Sequence, residues 1–178
     1  ATQCQRQGDQ APVARTAGRP LRGSELKATI QIGDTRNMAG ETNALIGQCH
    51  CGAVRFEASL SDGFNTARRC TCSYCRMRGA VVVMAEMGGI KILKGEDALT
   101  SYRFHTRSAQ HFFCSRCGIY THHQRRSNQG QYAVNVACLE GASPFDFSEV
   151  PVMDGINHTN DTGKPTRRAG TLRFIPAG

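Results

Sequence analysis

The chain has 178 residues, 39% of them apolar and 20% charged, the proportions of one modest globular domain. No window approaches the roughly 18 consecutive apolar residues of a membrane-spanning helix, and no apolar leader follows a basic start. The formal net charge of +8, of which residues 43–178 carry +6, favours anionic partners without choosing between nucleic acid and small acidic metabolites.

Residues 1–44 are rich in Gly, Pro, Gln, Thr and Arg and read as an extended arm, leaving 45–178 as the folded domain. From Leu45 the pattern becomes strand-like, and Ala53–Ala58 alternates as a half-buried strand does. Ala80–Ala85 is a short β-branched run, Gly88-Gly89 a turn, and Ile90–Lys94 the next strand. Leu99–Phe104, Gln110–Phe113, Ile119–His122 and Tyr132–Ala137 supply four more strand candidates. No 12-residue window carries an apolar stripe at helical spacing, so the prediction is a mainly β, mostly antiparallel protein with little helix. After Pro144 the Gly-, Pro-, Asp- and Asn-rich tail is expected to wrap the sheets irregularly, with Thr171–Ile175 as a last strand.

The chain carries nine cysteines, an odd number, and seven fall in C-x-C or C-x-x-C arrangements. Cysteines two apart strain a mutual disulfide, whereas both spacings suit chelation of a soft metal, which places the protein in a reducing compartment, the cytoplasm. Cys49-His50-Cys51-Gly52 and Cys114-Ser115-Arg116-Cys117-Gly118 look like two halves of one four-thiolate site, each followed by a glycine that lets the backbone turn tightly. Four thiolates close a structural site for zinc or for iron, the lack of compact ferredoxin-like cysteine runs favouring zinc, and His50 is expected to face away from it. Such a site couples metal binding to folding.

Cys70, Cys72 and Cys75 remain, and three ligands with one open position is the arrangement of a catalytic zinc. An all-thiolate trio suits sulfur chemistry better than hydrolysis. Three readings stand side by side: a fourth ligand such as His105, His111, His122, His123 or Cys138 closes the site, the site is labile or empty, or it accepts substrate. Arg68, Arg69, Arg76 and Arg78 flank the trio, and no acid occurs between Asp62 and Glu86. A second acid-free stretch, 98–139, carries Arg103, Arg107, Arg116, Arg125 and Arg126. Arginine forks recognise carboxylates, and cationic neighbours favour thiolate over thiol.

Three stretches in order carry a resemblance: G-x-C-x-C-G-x-V-x-F from Gly47 to Phe56, C-x-C-S-x-C-R from Cys70 to Arg76, and F-C-x-x-C-G from Phe113 to Gly118. With Tyr132–Val136, Cys138-Leu139 and Asp154–His158, this resembles the glutathione-dependent formaldehyde-activating enzyme family, also called the CENP-V/GFA domain family. The resemblance implies an Mss4-like fold of antiparallel sheets stapled by structural zinc on Cys49, Cys51, Cys114 and Cys117, with a second zinc on Cys70, Cys72 and Cys75. It also implies a carbon–sulfur lyase that joins glutathione and formaldehyde as S-hydroxymethylglutathione. Arg69, Arg76 and Arg125 are then expected to hold the carboxylates of glutathione. No residue is singled out for proton transfer; His122 and His123, polar and shortly after Cys117, are the candidates.

The rival class is a non-catalytic, zinc-stabilised binding module. Against a nucleic-acid module, the chain has no Trp, no aromatic residues interleaved with the basic ones, and no basic recognition helix. A small-molecule thiol is the expected partner, and a membrane is not. The sequence leaves the oligomeric state open, along with the roles of Cys4 and Cys138.

Overall fold

Strands dominate because apolar residues recur at every second position in short runs bounded by glycine and polar turns. β1 (Ala44–Gln48) and β2 (Arg55–Leu60) form the first antiparallel hairpin. A 3-10 turn over Gly63–Thr66 leads to β3 (Arg69–Cys70) and a short helix, α1 (Ser73–Arg78). There follow β4 (Val82–Lys94), β5 (Leu99–Tyr102), β6 (Gln110–Cys114), β7 (Tyr120–Gln124), β8 (Gln131–Asn135) and β9 (Glu149–Met153). The chain then makes one helical turn, α2 (Thr159–Thr162), and ends in β10 (Arg168–Arg173). The computed structural model describes residues 44–177, so all but the last residue of the expected N-terminal arm, and Cys4, lie outside the described residues. No helix among the described residues is long and apolar enough to cross a membrane.

Seven strands form one sheet in the order β1-β2-β4-β8-β7-β6-β5, all paired antiparallel. The second sheet, β10-β9-β3, contains a parallel pair, β3 with β9. One face of the large sheet carries the core: Phe56, Ala58, Val83, Ala85 and Val134 are all fully buried. Burying a side chain such as Phe56 contributes about 1.5–3 kcal/mol. On the opposite face the register aligns Tyr102, His111, His123, Ala133 and Met84 in one row across β5, β6, β7, β8 and β4. Its members from His111 to Met84 form the floor of the cleft described below.

Two expectations are corrected. Gly88-Gly89 does not separate two strands; Val82–Lys94 runs through it as one long strand, its first half paired with β8 and its second with β2. The register slips between Ala58↔Ile90 and Leu60↔Ala85, and Gly88, at φ +82°, absorbs the slip in a conformation that side chains resist. A Cβ on Gly89 would stand 2.9 Å from the carbonyl oxygens of Glu86 and Ser59, so the close backbone approach also requires glycine there. The tail after Pro144 is not irregular throughout, because Glu149–Met153 forms β9. Its register pairs Cys70 with Met153, an order no local pattern announces.

Candidate metal centre and its cleft

Cys49 and Cys51 sit at the tip of the β1–β2 hairpin, Cys114 and Cys117 at the tip of β6–β7. On a flat sheet those hairpins would lie about four strand spacings apart, roughly 19 Å. The four sulfurs nevertheless lie within 4.8 Å of one another, so the sheet curls to bring its two ends together. Both tips turn the same way. Cys49 N–H donates to the Val54 carbonyl and Cys114 N–H to that of Ile119, while Gly52 and Gly118 take φ of +68° and +72° after the second cysteine. The Val54 N–H then reaches Cys49 Sγ at 3.3 Å.

Two sulfur separations, Cys49–Cys51 at 3.6 Å and Cys51–Cys114 at 3.8 Å, match the edge of about 3.8 Å that a tetrahedron of 2.3 Å zinc–sulfur bonds requires. The donor set therefore fits zinc. Burial pushes the Cys117 thiol up, but the N–H groups of Ile119 and Cys51 and the Cys51 and Cys114 sulfurs bring it to about 6, while Cys51, despite the Ala53 N–H, is raised to about 11 by burial and its three sulfur neighbours. His50 is exposed. Cys138 is a core residue: buried, within reach of the Tyr120 carbonyl and Asn135, and pushed up to about 12 by burial.

The other three cysteines stand at the start of α1. Cys72 caps the helix, its sulfur accepting from Cys75 N–H at 3.4 Å, and Cys72 N–H donates to Cys70 Sγ at 3.4 Å. Gly79, at φ +70°, ends the helix after six residues. The three sulfurs lie within 4.8 Å of one another, and no fourth Cys, His, Asp or Glu among the described residues joins that group. Contact between the thiols divides their protons. Hydrogen bonds from Cys70 and then Cys75 hold the Cys72 thiol far below its ordinary value, and Cys70 and Cys72 drive the Cys75 thiol far above it.

The loop after β9 closes over the trio. Gly155 N–H donates to Thr71 Oγ1 at 3.0 Å, and a Cβ on Gly155 would stand 2.3 Å from Cys70 Sγ and 2.9 Å from Cys72 N and Cβ. Asp154 holds this loop in shape. Its carboxylate accepts from the N–H groups of Ile156 and Asn157, from Asn157 Nδ2, and from Arg167 Nε at 2.7 Å. The Asn157 contacts first, then Arg167, keep it well below the usual carboxylate range. A chelating trio cradled by a loop that tolerates only glycine fits a second metal ion.

The trio opens onto a cleft of about 600 Å³ whose floor is the outer face of the large sheet. Six arginines line it (Arg68, Arg69, Arg76, Arg78, Arg125 and Arg126) against the two acids Asp154 and Asp161. Both acids are engaged, Asp154 with Arg167 and Asp161 in a two-point pair with Arg126. The cleft is thus positive, which suits a carboxylate-bearing ligand. All three arginines expected from sequence, Arg69, Arg76 and Arg125, line it; Arg125 is held by Gln131 Oε1 and Ser127 Oγ. Arg103, Arg107 and Arg116 do not line it, and Arg116 lies near Asp97 at 3.9 Å.

Arg78 has the most central position. Its guanidinium reaches Cys75 Sγ at 3.4 Å and His111 Nδ1 at 3.1 Å, and lies 3.5 Å over the Tyr120 ring. Helical spacing was the signal for it: residues three apart share a helix face, so Arg78 and not Arg76 meets Cys75. His111, itself buried, and His123 line the cleft, while His122 is buried away from it, stacked on Phe112 at 4.6 Å. His158 and Gly155, also in the wall, come from the distant Asp154–His158 stretch, which supports the family resemblance but does not announce that it lies beside the trio.

The fold and these two clusters define a mainly β protein with a buttressed four-cysteine cluster and an open three-cysteine cluster, a thiol-rich, metal-capable architecture. The family model described as glutathione-dependent formaldehyde-activating enzyme matches residues 44–150, and the chain belongs to that family. A crystal structure of a Rhodobacter sphaeroides protein, a structural genomics target, is similar to it. The two share 55% identity with a TM-score of 0.60, over 61% of this chain and 99% of the other.

Proposed function

We propose that the protein is a carbon–sulfur lyase acting on a thiol–aldehyde adduct, with S-hydroxymethylglutathione as the reference substrate. In this reading zinc on Cys49, Cys51, Cys114 and Cys117 staples an Mss4-like fold, and Cys70, Cys72 and Cys75 hold the working zinc. The observation that carries it is the placement of the three-cysteine cluster, with no fourth protein ligand among the described residues, on the wall of an arginine-rich cleft. A purely structural site has no use for either feature. The family membership supplies the substrate class.

When bound at the trio, zinc supplies electrostatic stabilisation of a thiolate sulfur. The chain's own residues do the rest. Arg69, Arg76 and Arg125 face the ligand space and bind carboxylates, and Arg78 donates to Cys75 and holds His111. The Gly155 loop keeps the cysteines in register, and the cleft positions thiol and carbonyl carbon together, where proximity is the main gain. The C-x-C and C-x-x-C spacings, suited to chelation by thiolates, support work in a reducing compartment, proposed as the cytoplasm.

The test is metal per chain under reducing, chelator-free conditions, for the parent and for a variant with Cys70, Cys72 and Cys75 replaced by serine. Two zincs in the parent, one in the still-folded variant, and retention of the second zinc against chelator when glutathione is present would support the reading. One zinc in both, with no response to glutathione, would sink it.

A further inference from the structure

When the carbon–sulfur bond of such an adduct breaks, its hydroxyl proton must leave, and nothing assigned above receives it. The floor of the cleft offers two imidazoles. His111 and His123 are partners in the β6–β7 register and stack with ring centroids 4.7 Å apart at 30°. Fixed neighbours decide which nitrogen of each ring carries the proton. Arg78 Nη1 stands 3.1 Å from His111 Nδ1, and a guanidinium only donates, so Nδ1 accepts and the neutral ring holds its proton on Nε2. The Tyr120 hydroxyl donates its single proton to the Ala133 carbonyl at 2.9 Å and also lies 2.6 Å from His123 Nδ1. Assigning the hydroxyl proton to the Ala133 carbonyl makes His123 Nδ1 the donor in that second contact, which leaves its Nε2 with a free lone pair.

Two adjacent rings therefore present opposite characters, an N–H on His111 and a bare nitrogen on His123. Both stay neutral near pH 7: burial first, then Arg78, bring His111 to about 4 and hold His123 well below its ordinary value. Arg78 spans Cys75 Sγ and His111 Nδ1, which limits their separation to no more than about 9 Å across one planar guanidinium. A small adduct covers that distance.

Resting on the lyase reading, we propose that His123 Nε2 is the general base that takes the hydroxyl proton of the bound adduct, while His111 Nε2–H donates to the same oxygen. The O–H proton passes to His123, the oxygen's electron pair forms the C=O bond, and the C–S pair leaves with sulfur as thiolate. The products are a carbonyl compound, a thiolate and an imidazolium, and nothing is oxidised or reduced. In the condensing direction the imidazolium returns the proton to the oxygen as thiolate adds to the carbonyl carbon. Tyr120 is a positioning residue that sets the tautomer of His123.

The groups facing His123 are Arg78 from α1, His111 from β6, Tyr120 and His122 on its own strand, and Arg125 just beyond that strand's end; its neighbours Ala133 and Met84 carry no charge. With these neighbours the base form persists well below pH 7, so kcat/KM for adduct cleavage should stay flat there and fall only on the acid side, through the depressed His123 pKa.

The first experiment is nitrogen-15 NMR of the imidazoles in the zinc-loaded parent, where His123 should carry its proton on Nδ1 and His111 on Nε2. In Tyr120→Phe, His123 loses its acceptor and its proton should move to Nε2, with a partial loss of kcat and unchanged KM. His123→Gln should lose about 10²-fold or more in kcat with KM within a few-fold, lose the acid limb of the pH profile, and keep glutathione-dependent zinc retention. A proton on Nε2 of His123 in the parent overturns the proposal whatever the kinetics. Parental turnover in His123→Gln overturns it and leaves the lyase reading standing. A parent that retains zinc in response to glutathione yet turns over no adduct overturns the lyase reading, and the proposal with it.

Discussion

Replacing Gly155 by alanine adds one methyl group at the most crowded point of the three-cysteine cluster. That carbon would sit 2.3 Å from Cys70 Sγ and 2.9 Å from both the Cys72 nitrogen and its Cβ. Ordinary contacts lie at about 3.5–4.0 Å, so the overlap with sulfur exceeds 1 Å, and the approach to the Cys72 backbone nitrogen cannot be relieved by rotating a side chain. Either the Asp154–His158 loop lifts or Cys70 leaves its partners. Overpacking of this kind costs about 1–3 kcal/mol. If that strain falls on the metal-bound state, zinc at the trio weakens roughly 5- to 150-fold. If it falls on the fold instead, the melting temperature drops by roughly 4–15 °C. Competitive chelator titration and calorimetry together separate the two, with the four-cysteine site as internal reference because its affinity should not move. Gly141→Ala is the control: its φ of +73° strains the backbone by about 1–2 kcal/mol, but nothing lies within 4 Å of the added carbon, so metal binding is unaffected. A Gly155→Ala protein with parental zinc affinity and parental melting temperature would refute the claim that this loop cradles the trio.

Three further outcomes are expected. Cys114→Ser, or removal of zinc by strong chelator, should abolish the cooperative melt, because structural zinc contributes roughly 10–16 kcal/mol against a whole-domain stability of about 5–15 kcal/mol. A chelated protein with a native near-ultraviolet spectrum would contradict this. Asp154 has a carboxyl held low in the fold by Asn157 and Arg167, so its contribution is complete above its unfolded value of about 3.9 and disappears as pH falls through the lower folded value. Asp154→Asn should therefore be less stable at pH 6 and show a shallower fall in urea midpoint between pH 4.5 and 3 (parallel curves for the two proteins would rule the linkage out). Arg78→Lys keeps the charge but cannot reach Cys75 and His111 together while stacking on Tyr120. Urea denaturation should show a loss of about 1–2 kcal/mol, and an unchanged midpoint would mean the guanidinium contacts add nothing.

The amino-acid sequence carries the strands and the four-cysteine cluster openly, because both are local signals. Period-two alternation marks Phe56 and Ala58 as inward-facing, and C-x-C-G and C-x-x-C-G each encode a hairpin tip whose glycine turns the chain around sulfur. The three-cysteine cluster is equally legible, since its ligands fall within six consecutive residues, from the end of β3 into the first turn of α1. Other features depend on which strand lies beside which, and no run of residues encodes that. Gly88-Gly89 reads as a turn until the register of β2 against β4 shows a slip inside one strand. Gly155 looks like a loop glycine until the parallel pairing of β3 with β9 carries it onto Cys70, a contact between residues 85 apart in sequence. Arg78 was one of several flanking arginines, and only the helix direction and the position of β6 give it both Cys75 and His111. The tautomers of the two imidazoles lie deepest of all. They follow from where Tyr120, Ala133 and Arg78 stand around them, and these three partners come from three separate elements, β7, β8 and α1, that only the folded chain assembles.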